Sequence, residues 1–145
     1  MKISIEEIPQ GEEEEIIIKC HEMNDEIMAL LHRLKVSKEQ LTGMQGDEIY
    51  RLSLKDIYYF DTVDQKSFLY CENQVYETKL KLYEFEELTA GTQFFRASKS
   101  TVINAMKISH IKPSFSGRFE AHMDNGEKLL VSRGYVPQLK KILGL

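Results

Sequence analysis

The sequence contains few cysteines, no long apolar run and no secretion signal, and each absence argues against a class of protein. Its two cysteines, Cys20 and Cys71, belong to no CxxC pair, a pattern typical of buried thiols in a reducing compartment. No apolar run approaches the roughly 18 residues that a transmembrane helix requires. The N-terminus lacks the apolar stretch of a signal peptide. We therefore expect a cytoplasmic protein.

Local signatures of catalysis are also missing. The sequence has no GxSxG, P-loop or GxGxxG motif, so neither a nucleophile elbow nor a phosphate-binding loop is indicated. No two histidines stand at the HxxxH or HxH spacing that favours a local metal site; the histidines are His21, His32, His110 and His122. We expect no enzymatic activity, no bound metal and no cofactor.

Charge is distributed unevenly along the chain. The 145 residues carry a net charge of −4. Residues 1–43 hold five Lys/Arg and ten Asp/Glu, whereas residues 96–145 hold nine and three. A partner experiences the local field rather than the total charge. The acidic residues 1–43 are too few for an independent core, and we predict an interaction or dimerisation element. Residues 44–145 form the second predicted domain, whose basic part indicates a polyanionic partner, DNA first.

Short alternating segments predict a mainly β fold with antiparallel sheets and short helices. In residues 1–43 we predict a small β-β-α element: strands Lys2–Ile8 and Glu14–His21, then a helix capped by Asn24. Residues 42–47 are interpreted as a turn-rich boundary. The predicted strands that follow are Glu48–Ser53, Ile57–Thr62, Lys66–Glu72, Gln74–Lys79, Phe94–Ala97, Thr101–Asn104, Lys107–Lys112, Arg118–Met123 and Glu127–Val131, and the predicted helices are Leu82–Leu88 and Val136–Leu143.

Three polar segments lie at the ends of predicted strands. They are Asp64-Gln65-Lys66-Ser67, Ser98-Lys99-Ser100 and Ser132-Arg133. Their hydroxyl and cationic groups can donate hydrogen bonds to phosphates or base edges. The same residue types also suit a plain hairpin, a turn or a helix cap, and Arg133 also suits a surface salt bridge. Arginine is unfavourable near the positive end of a helix dipole, so a role for Arg133 in reading guanine stays open.

Four segments of the chain match one known pattern in order and spacing. They are Ile57-Tyr58-Tyr59-Phe60-Asp61, Leu82-Tyr83-Glu84-Phe85-Glu86-Glu87-Leu88, Phe95-Arg96-Ala97-Ser98-Lys99-Ser100-Thr101-Val102-Ile103-Asn104 and Val131-Ser132-Arg133-Gly134-Tyr135. In these segments the chain closely resembles the LytTR family of bacterial DNA-binding domains, from about Gln45 to Leu143. The combination of F-x-R-x-S-K-S-x-x-x-N with V-S-R-x-Y is more specific than either piece alone.

The resemblance implies an elongated fold of mostly antiparallel strands in three small sheets with short helices. It also implies that loops, rather than a recognition helix, enter successive major grooves of double-stranded DNA and bend it at imperfect direct repeats. Asn104 matches a position that is structural. By position, the DNA-binding residues would be Lys66 and Ser67 in the first loop, Ser98 and Lys99 in the second, and Ser132, Arg133 and Tyr135 in the third.

The chain departs from the family pattern in two places. Members of the family often carry a basic residue or His at the position of Ser67 or Phe68 and a second basic residue at that of Gly134. Both are missing here, so base identities are not carried over. Residues 1–43 are too short for the receiver domain of many response-regulator relatives, and we expect a stand-alone transcription regulator. A homodimer is predicted because two linked copies read tandem repeats well, and the resemblance implies a membrane-protein partner.

Two readings from other classes stay open. One is a β-rich protein-interaction module or anti-regulator that does not bind DNA. The other is a small-molecule sensor, which would need a roomy apolar pocket.

Overall fold

The computed structural model of the protein describes residues 2–36 and 40–145. The helices are α1 (Asp25–Val36), α2 (Leu82–Leu88) and α3 (Val136–Leu143). The strands are β1 (Gln40–Gln45), β2 (Glu48–Ser53), β3 (Tyr59–Val63), β4 (Lys66–Tyr70), β5 (Val75–Thr78), β6 (Phe94–Arg96), β7 (Thr101–Asn104), β8 (Ile108–Pro113), β9 (Phe119–Met123) and β10 (Lys128–Val131). From β2 onward, the bounds differ from the predicted ones by at most two residues.

The strands form two antiparallel sheets. The larger has the order β2-β1-β5-β4-β3-β7-β6, and the smaller has the order β10-β9-β8. The prediction of a mainly β, antiparallel fold with short helices is confirmed. The three small sheets implied by the resemblance are wrong for the described residues. Met44 of β1 pairs with Glu77 of β5, and this pairing joins the β1–β2 hairpin to the other five strands in one sheet.

The central strands of the larger sheet are buried on both faces. Successive side chains of a strand point to opposite faces, so Tyr59 and Phe60 of β3 enter different cores. The first core lies on the side of the smaller sheet and α3, with Val131 and Leu139 buried in it. The second core includes Phe85 of α2, whose ring stacks 4.7 Å from that of Phe60. Helix α2 is therefore fixed on one face of the sheet, and the smaller sheet and α3 on the other.

Two tyrosines attach the turn between β9 and β10 to the larger sheet. The Tyr58 hydroxyl donates to Asp124, and the Tyr59 hydroxyl donates to Glu127 Oε2 at 2.7 Å. The hydrogen bond to Asp124 is the main reason that the pKa of Tyr58 rises to about 12. Burial, followed by the bond to Glu127, raises the pKa of Tyr59. Both phenols therefore stay protonated donors at neutral pH.

Asn104 joins the end of β7 to the segment before β3. Its side chain is 3% exposed. The amide Nδ2 donates to the Ile57 carbonyl at 2.9 Å, and Oδ1 accepts from Met106 N at 3.0 Å. A buried polar side chain is stable when both of its groups are bonded in this way. The structural role predicted for Asn104 is confirmed.

The N-terminal part differs from the prediction. Residues 2–8 and 14–21 form no strand, and Ile3, Ile5, Ile16 and Ile17 are exposed. A segment of alternating polarity forms a strand only where a neighbouring strand pairs with it. The four consecutive glutamates discourage such pairing. The predicted helix is confirmed, because Asn24 Oδ1 accepts from Ile27 N at 2.9 Å just before α1. Cys20 is exposed rather than buried, and Cys71 is half-buried.

Strand β1 was missed by the prediction. Its sequence, QLTGMQ, reads as a turn, yet Gly43 pairs with Tyr50 in the middle of the β1–β2 hairpin. A Cβ atom at position 43 would lie 2.5 Å from Tyr76 Cβ. Glycine is needed here so that β1 can approach the Tyr76 side chain, and not to make a turn. The domain boundary predicted after Gly43 falls inside this strand.

Candidate nucleic-acid interface

The predicted DNA-binding residues lie in or beside three loops. Loop 1 (Asp64–Gln65) joins β3 to β4, loop 2 (Ala97–Ser100) joins β6 to β7, and loop 3 (Ser132–Tyr135) joins β10 to α3. Strands β3 and β7 are antiparallel neighbours with Asp61 opposite Thr101. The chain therefore leaves β3 for loop 1 at the same end of the sheet at which it enters β7 from loop 2.

Loop 1 is a two-residue hairpin turn. Asp64 and Gln65 have φ of 51° and 64°, the left-handed values that match the right-handed twist of the flanking strands. Lys66 follows at the start of β4, opposite Val63, and is exposed. Ser67 is 9% exposed, which makes it the least accessible of the seven predicted DNA-binding residues.

The side chain of Arg96, the last residue of β6, binds the main chain of loop 2. Its guanidinium donates from Nε to the Ser98 carbonyl at 2.5 Å and from Nη2 to the Lys99 carbonyl at 2.6 Å. Nη1 contacts Glu86 of α2 at 2.5 Å. The planar guanidinium can satisfy several acceptors at fixed angles, which an ammonium group cannot do. With both carbonyls turned inward to Arg96, the Lys99 side chain is exposed and Ser98 is half-buried.

Main-chain hydrogen bonds join the three loops. Thr62 N, next to loop 1, donates to the Ser100 carbonyl of loop 2 at 3.1 Å. Ser132 N of loop 3 donates to the Ala97 carbonyl of loop 2 at 2.8 Å. A side-chain contact reinforces the second link, since the Arg96 guanidinium lies 5.7 Å from the centre of the Tyr135 ring. Loop 2 is thus held between loops 1 and 3.

Three cationic side chains project from this connected group of loops: Lys66, Lys99 and Arg133 are exposed. Ser132 and Tyr135 are half-buried, and Tyr135 packs against the first core as well as against Arg96. The structure therefore brings the three predicted loops together. It leaves their cations accessible and draws Ser67 and Tyr135 towards the interior.

The prediction missed two features of this region. The role of Arg96 depends on Glu86, ten residues earlier in sequence, and no local pattern reveals it. The second feature is loop 4 (Ser114–Arg118), which joins β8 to β9 beside loop 3. One signal for loop 4 was present, because no Asp or Glu occurs from Leu88 through Phe119.

Other types of site have less support. A groove of about 790 Å³ lies between α2, β6 and α3, and polar residues such as Glu86, Gln93, Gln138 and Lys141 share its lining with apolar ones. It is not the apolar pocket that a small-molecule sensor would need. Across residues 2–36 and 40–145, no group of three His, Cys, Asp or Glu side chains is placed to hold a metal ion. No helix in that part of the chain is long and apolar enough to cross a membrane.

Comparison with known proteins identifies the family. The family model described as the LytTr DNA-binding domain matches residues 47–144. The chain belongs to the LytTR family of DNA-binding domains. A solved LytTr DNA-binding domain from Bacillus cereus has 30% sequence identity and a TM-score of 0.70, and the match covers 74% of this chain and 99% of that one. The LytTR fold is therefore shown by sequence and structure together.

Two kinds of curated proteins are similar to this chain. The sensory transduction protein LytT of Enterococcus faecalis is 32% identical over 112 residues, which is 77% of this chain and 46% of that protein. LytT of Bacillus subtilis is 28% identical over 86% of this chain and 52% of its own length. The chain thus spans about half the length of these relatives. An uncharacterized HTH-type transcriptional regulator of Staphylococcus aureus is 24% identical over 100% of this chain and 99% of its own length.

Proposed function

We propose that this protein is a transcription regulator that recognises a specific double-stranded DNA sequence through loops 1, 2 and 3. The observation that carries the proposal is the pair of main-chain hydrogen bonds that join loop 2 to its neighbours. These bonds hold together three segments that each carry an exposed cation. Cations on adjoining loops suit the phosphate backbone, which supplies much of the affinity of a DNA-binding protein.

The three cations are proposed to have different roles. Lys66, at a hairpin end, would neutralise a phosphate and so position the protein without reading sequence. Arg133 and Lys99 would reach base edges in the major groove, where arginine can bond guanine O6 and N7 together. The half-buried hydroxyls of Ser98 and Ser132 and that of Tyr135 would donate to nearby phosphates.

Arg133→Ala tests the proposal. A duplex is first selected from a random pool with the wild-type protein, and its affinity is measured across a salt series. Loss of one base-reading arginine is expected to cost about 1–3 kcal/mol and to relax the preference at one base pair. Arg51→Ala is the matched control, because Arg51 is exposed on β2, at the far edge of the larger sheet. Arg133→Ala binding as tightly as the wild type would contradict the role of Arg133.

A broader result would reject DNA binding altogether. If the wild-type protein is retained by neither heparin nor duplex DNA at low salt, the proposal is wrong, and a protein-interaction module becomes the better reading. Retention that does not weaken with salt would also contradict it, because release of counterions makes DNA affinity fall as salt rises.

Residues 2–36 lie outside the matched family region and are acidic, with exposed isoleucines. We propose that this segment pairs two copies of the chain, so that a dimer reads imperfect direct repeats and the second contact becomes effectively intramolecular. A membrane-protein partner, implied by the resemblance alone, would bind the same segment. Light scattering at high concentration and with a two-repeat duplex tests the dimer. A single copy of the chain under both conditions would exclude it.

A further inference from the structure

Phe115 is an aromatic side chain that the fold leaves in solvent. It lies in loop 4 and is 88% exposed. Neither hydrophobic core includes it. Its neighbour in sequence beyond the loop, Phe119, packs against the first core. An apolar ring gains stability when it leaves water, so this exposure needs a reason other than folding.

Loop 4 holds the backbone at Phe115 in a defined position. Ser114 N donates to the Arg118 carbonyl at 2.9 Å, and Arg118 N donates to the Phe115 carbonyl at 3.2 Å. Ser116 and Gly117 have φ of 59° and 74°, left-handed values that close the turn tightly. A backbone that is already ordered before binding loses little conformational freedom when it binds, and this lowers the cost of binding.

Loop 4 lies against Arg133. Phe119, at the start of β9, pairs with Val131, at the end of β10, so loop 4 and loop 3 leave the smaller sheet at the same end. A Cβ atom added to Gly117 would meet Arg133 Cδ at 3.0 Å and Cγ at 3.1 Å. The aliphatic part of Arg133 therefore passes over Gly117. Whatever Arg133 touches also comes within reach of loop 4.

The charge around loop 4 favours a polyanion over a protein groove. Lys112 precedes the loop, Arg118 ends it, and both are exposed. No acidic residue occurs in sequence from Leu88 through Phe119, and Glu120 lies opposite Lys112 in the smaller sheet. An apolar ring beside exposed cations suits a DNA groove, where phosphates surround base edges. In the major groove thymine alone among the four bases presents a methyl group, and phenylalanine is one of the side chains that contact it.

We propose that loop 4 is a further DNA-reading element, in which the Phe115 ring packs on a thymine methyl group in the major groove that Arg133 enters. This inference rests on the proposed function. It gives the protein a preference for thymine next to the base pair read by Arg133. That preference has an apolar origin, unlike the hydrogen bonds assigned to the other loops.

The test removes the methyl group and the ring separately. The duplex selected with the wild-type protein is prepared in two forms, one with thymine and one with deoxyuridine at every thymine. Affinities of the wild type, Phe115→Ala and Phe115→Leu are measured for both forms. Met106→Ala is the matched control, because Met106 is also exposed and follows β7 at the end opposite loop 2. For each protein, the ratio of its affinities for the two duplexes is compared with that of the wild type. This comparison cancels any general effect of uracil on DNA shape.

The wild type is expected to bind the uracil duplex about fourfold more weakly for one lost methyl contact, the factor that corresponds to burying one such group. Phe115→Ala should bind both forms equally, Phe115→Leu should retain part of the discrimination, and Met106→Ala should behave as the wild type. An unchanged melting temperature excludes misfolding of Phe115→Ala as the cause.

Two results overturn the inference and leave the proposed function intact. One is a Phe115→Ala protein that binds as tightly as the wild type. The other is a weaker Phe115→Ala protein that discriminates between the two duplexes as well as the wild type does. A wild-type protein that binds neither duplex contradicts the proposed function itself.

Discussion

Replacing Arg96 with lysine tests whether the Arg96 side chain organises loop 2, one of the loops proposed to bind DNA. Arg96 makes two bonds to carbonyls of loop 2 and one to Glu86. A lysine keeps the positive charge but has a single ammonium group, which can maintain one of these three contacts. The Arg96 side chain is 21% exposed and that of Glu86 is 38% exposed, so solvent screens the contacts in part.

The magnitude follows from the two lost bonds. Partly screened bonds to a charged group contribute about 1 kcal/mol each, at the low end of their range. Arg96→Lys should therefore lower the free energy of unfolding by about 2 kcal/mol, measured by urea denaturation with circular dichroism. Part of the free energy of DNA binding must then be used to order loop 2, and this should weaken the affinity for DNA by as much as about 30-fold. Fluorescence anisotropy with a labelled duplex measures this loss.

Arg51→Lys provides the control for Arg96→Lys, because it makes the same chemical change on an exposed residue at the other edge of the larger sheet. It should change stability by less than about 0.5 kcal/mol, as most surface substitutions do. If Arg96→Lys matches this control in both stability and affinity, the guanidinium does not organise loop 2, and the reasoning fails.

Two further predictions concern buried polar groups. Asn104→Asp should lower the free energy of unfolding by about 2–4 kcal/mol at pH 7, because a carboxylate would face the buried carbonyl to which the amide now donates. Urea unfolding should show that part of this loss is recovered near pH 4, where the introduced carboxylate is protonated. The same change at Asn125, whose amide bonds a carbonyl at an exposed site, should cost far less, and equal losses would contradict the argument. The pKa of Tyr58, raised to about 12 mainly by its bond to Asp124, implies that stability falls as pH rises from about 10 to about 12, because the unfolded phenol ionises first. Tyr58→Phe should reduce that fall in urea unfolding at pH 9 and pH 11, and an unchanged fall would show that the bond to Asp124 is not its source.

The middle and C-terminal parts of the fold were predictable from sequence because their signals are local. Alternation and aromatic content identified the strands from β2 onward, and the Asn-Gly pair in the turn after β9 marked a hairpin. Gly126 in that turn has φ of 91°, a value that glycine adopts without strain. In such segments the side-chain pattern and the turn chemistry favour the same structure, so a single sequence is sufficient.

The errors arose where distant contacts decide the structure. Residues 2–8 have the alternation of a strand, but no strand pairs with them, and their isoleucines stay exposed. The reverse holds for β1. The sequence around Gly43 predicts a turn, but glycine is required there by the side chain of Tyr76. Neither the absence of a strand at residues 2–8 nor the presence of β1 can be predicted from the local sequence, because each depends on which other segment of the chain packs against it.

The candidate interface was likewise predictable from sequence only in part. The polar loops were recognisable from residue type, and the spacing of their motifs indicated the family. Their connection was not recognisable, because it depends on main-chain contacts of Thr62 with Ser100 and of Ser132 with Ala97, which are distant in sequence. The accessibility of each side chain was equally hidden, since Ser67 and Lys66 are neighbours in sequence but face different environments.

The links between the three loops are mostly made by peptide groups, at Thr62 to Ser100 and at Ser132 to Ala97. A peptide group is the same in nearly every residue, so these links do not depend on which side chains the loop tips carry. Tips such as Lys66, Lys99 and Arg133 are therefore free to vary while the frame beneath them persists. Under the proposed function, single substitutions at these tips would change the preferred DNA sequence without rebuilding the scaffold.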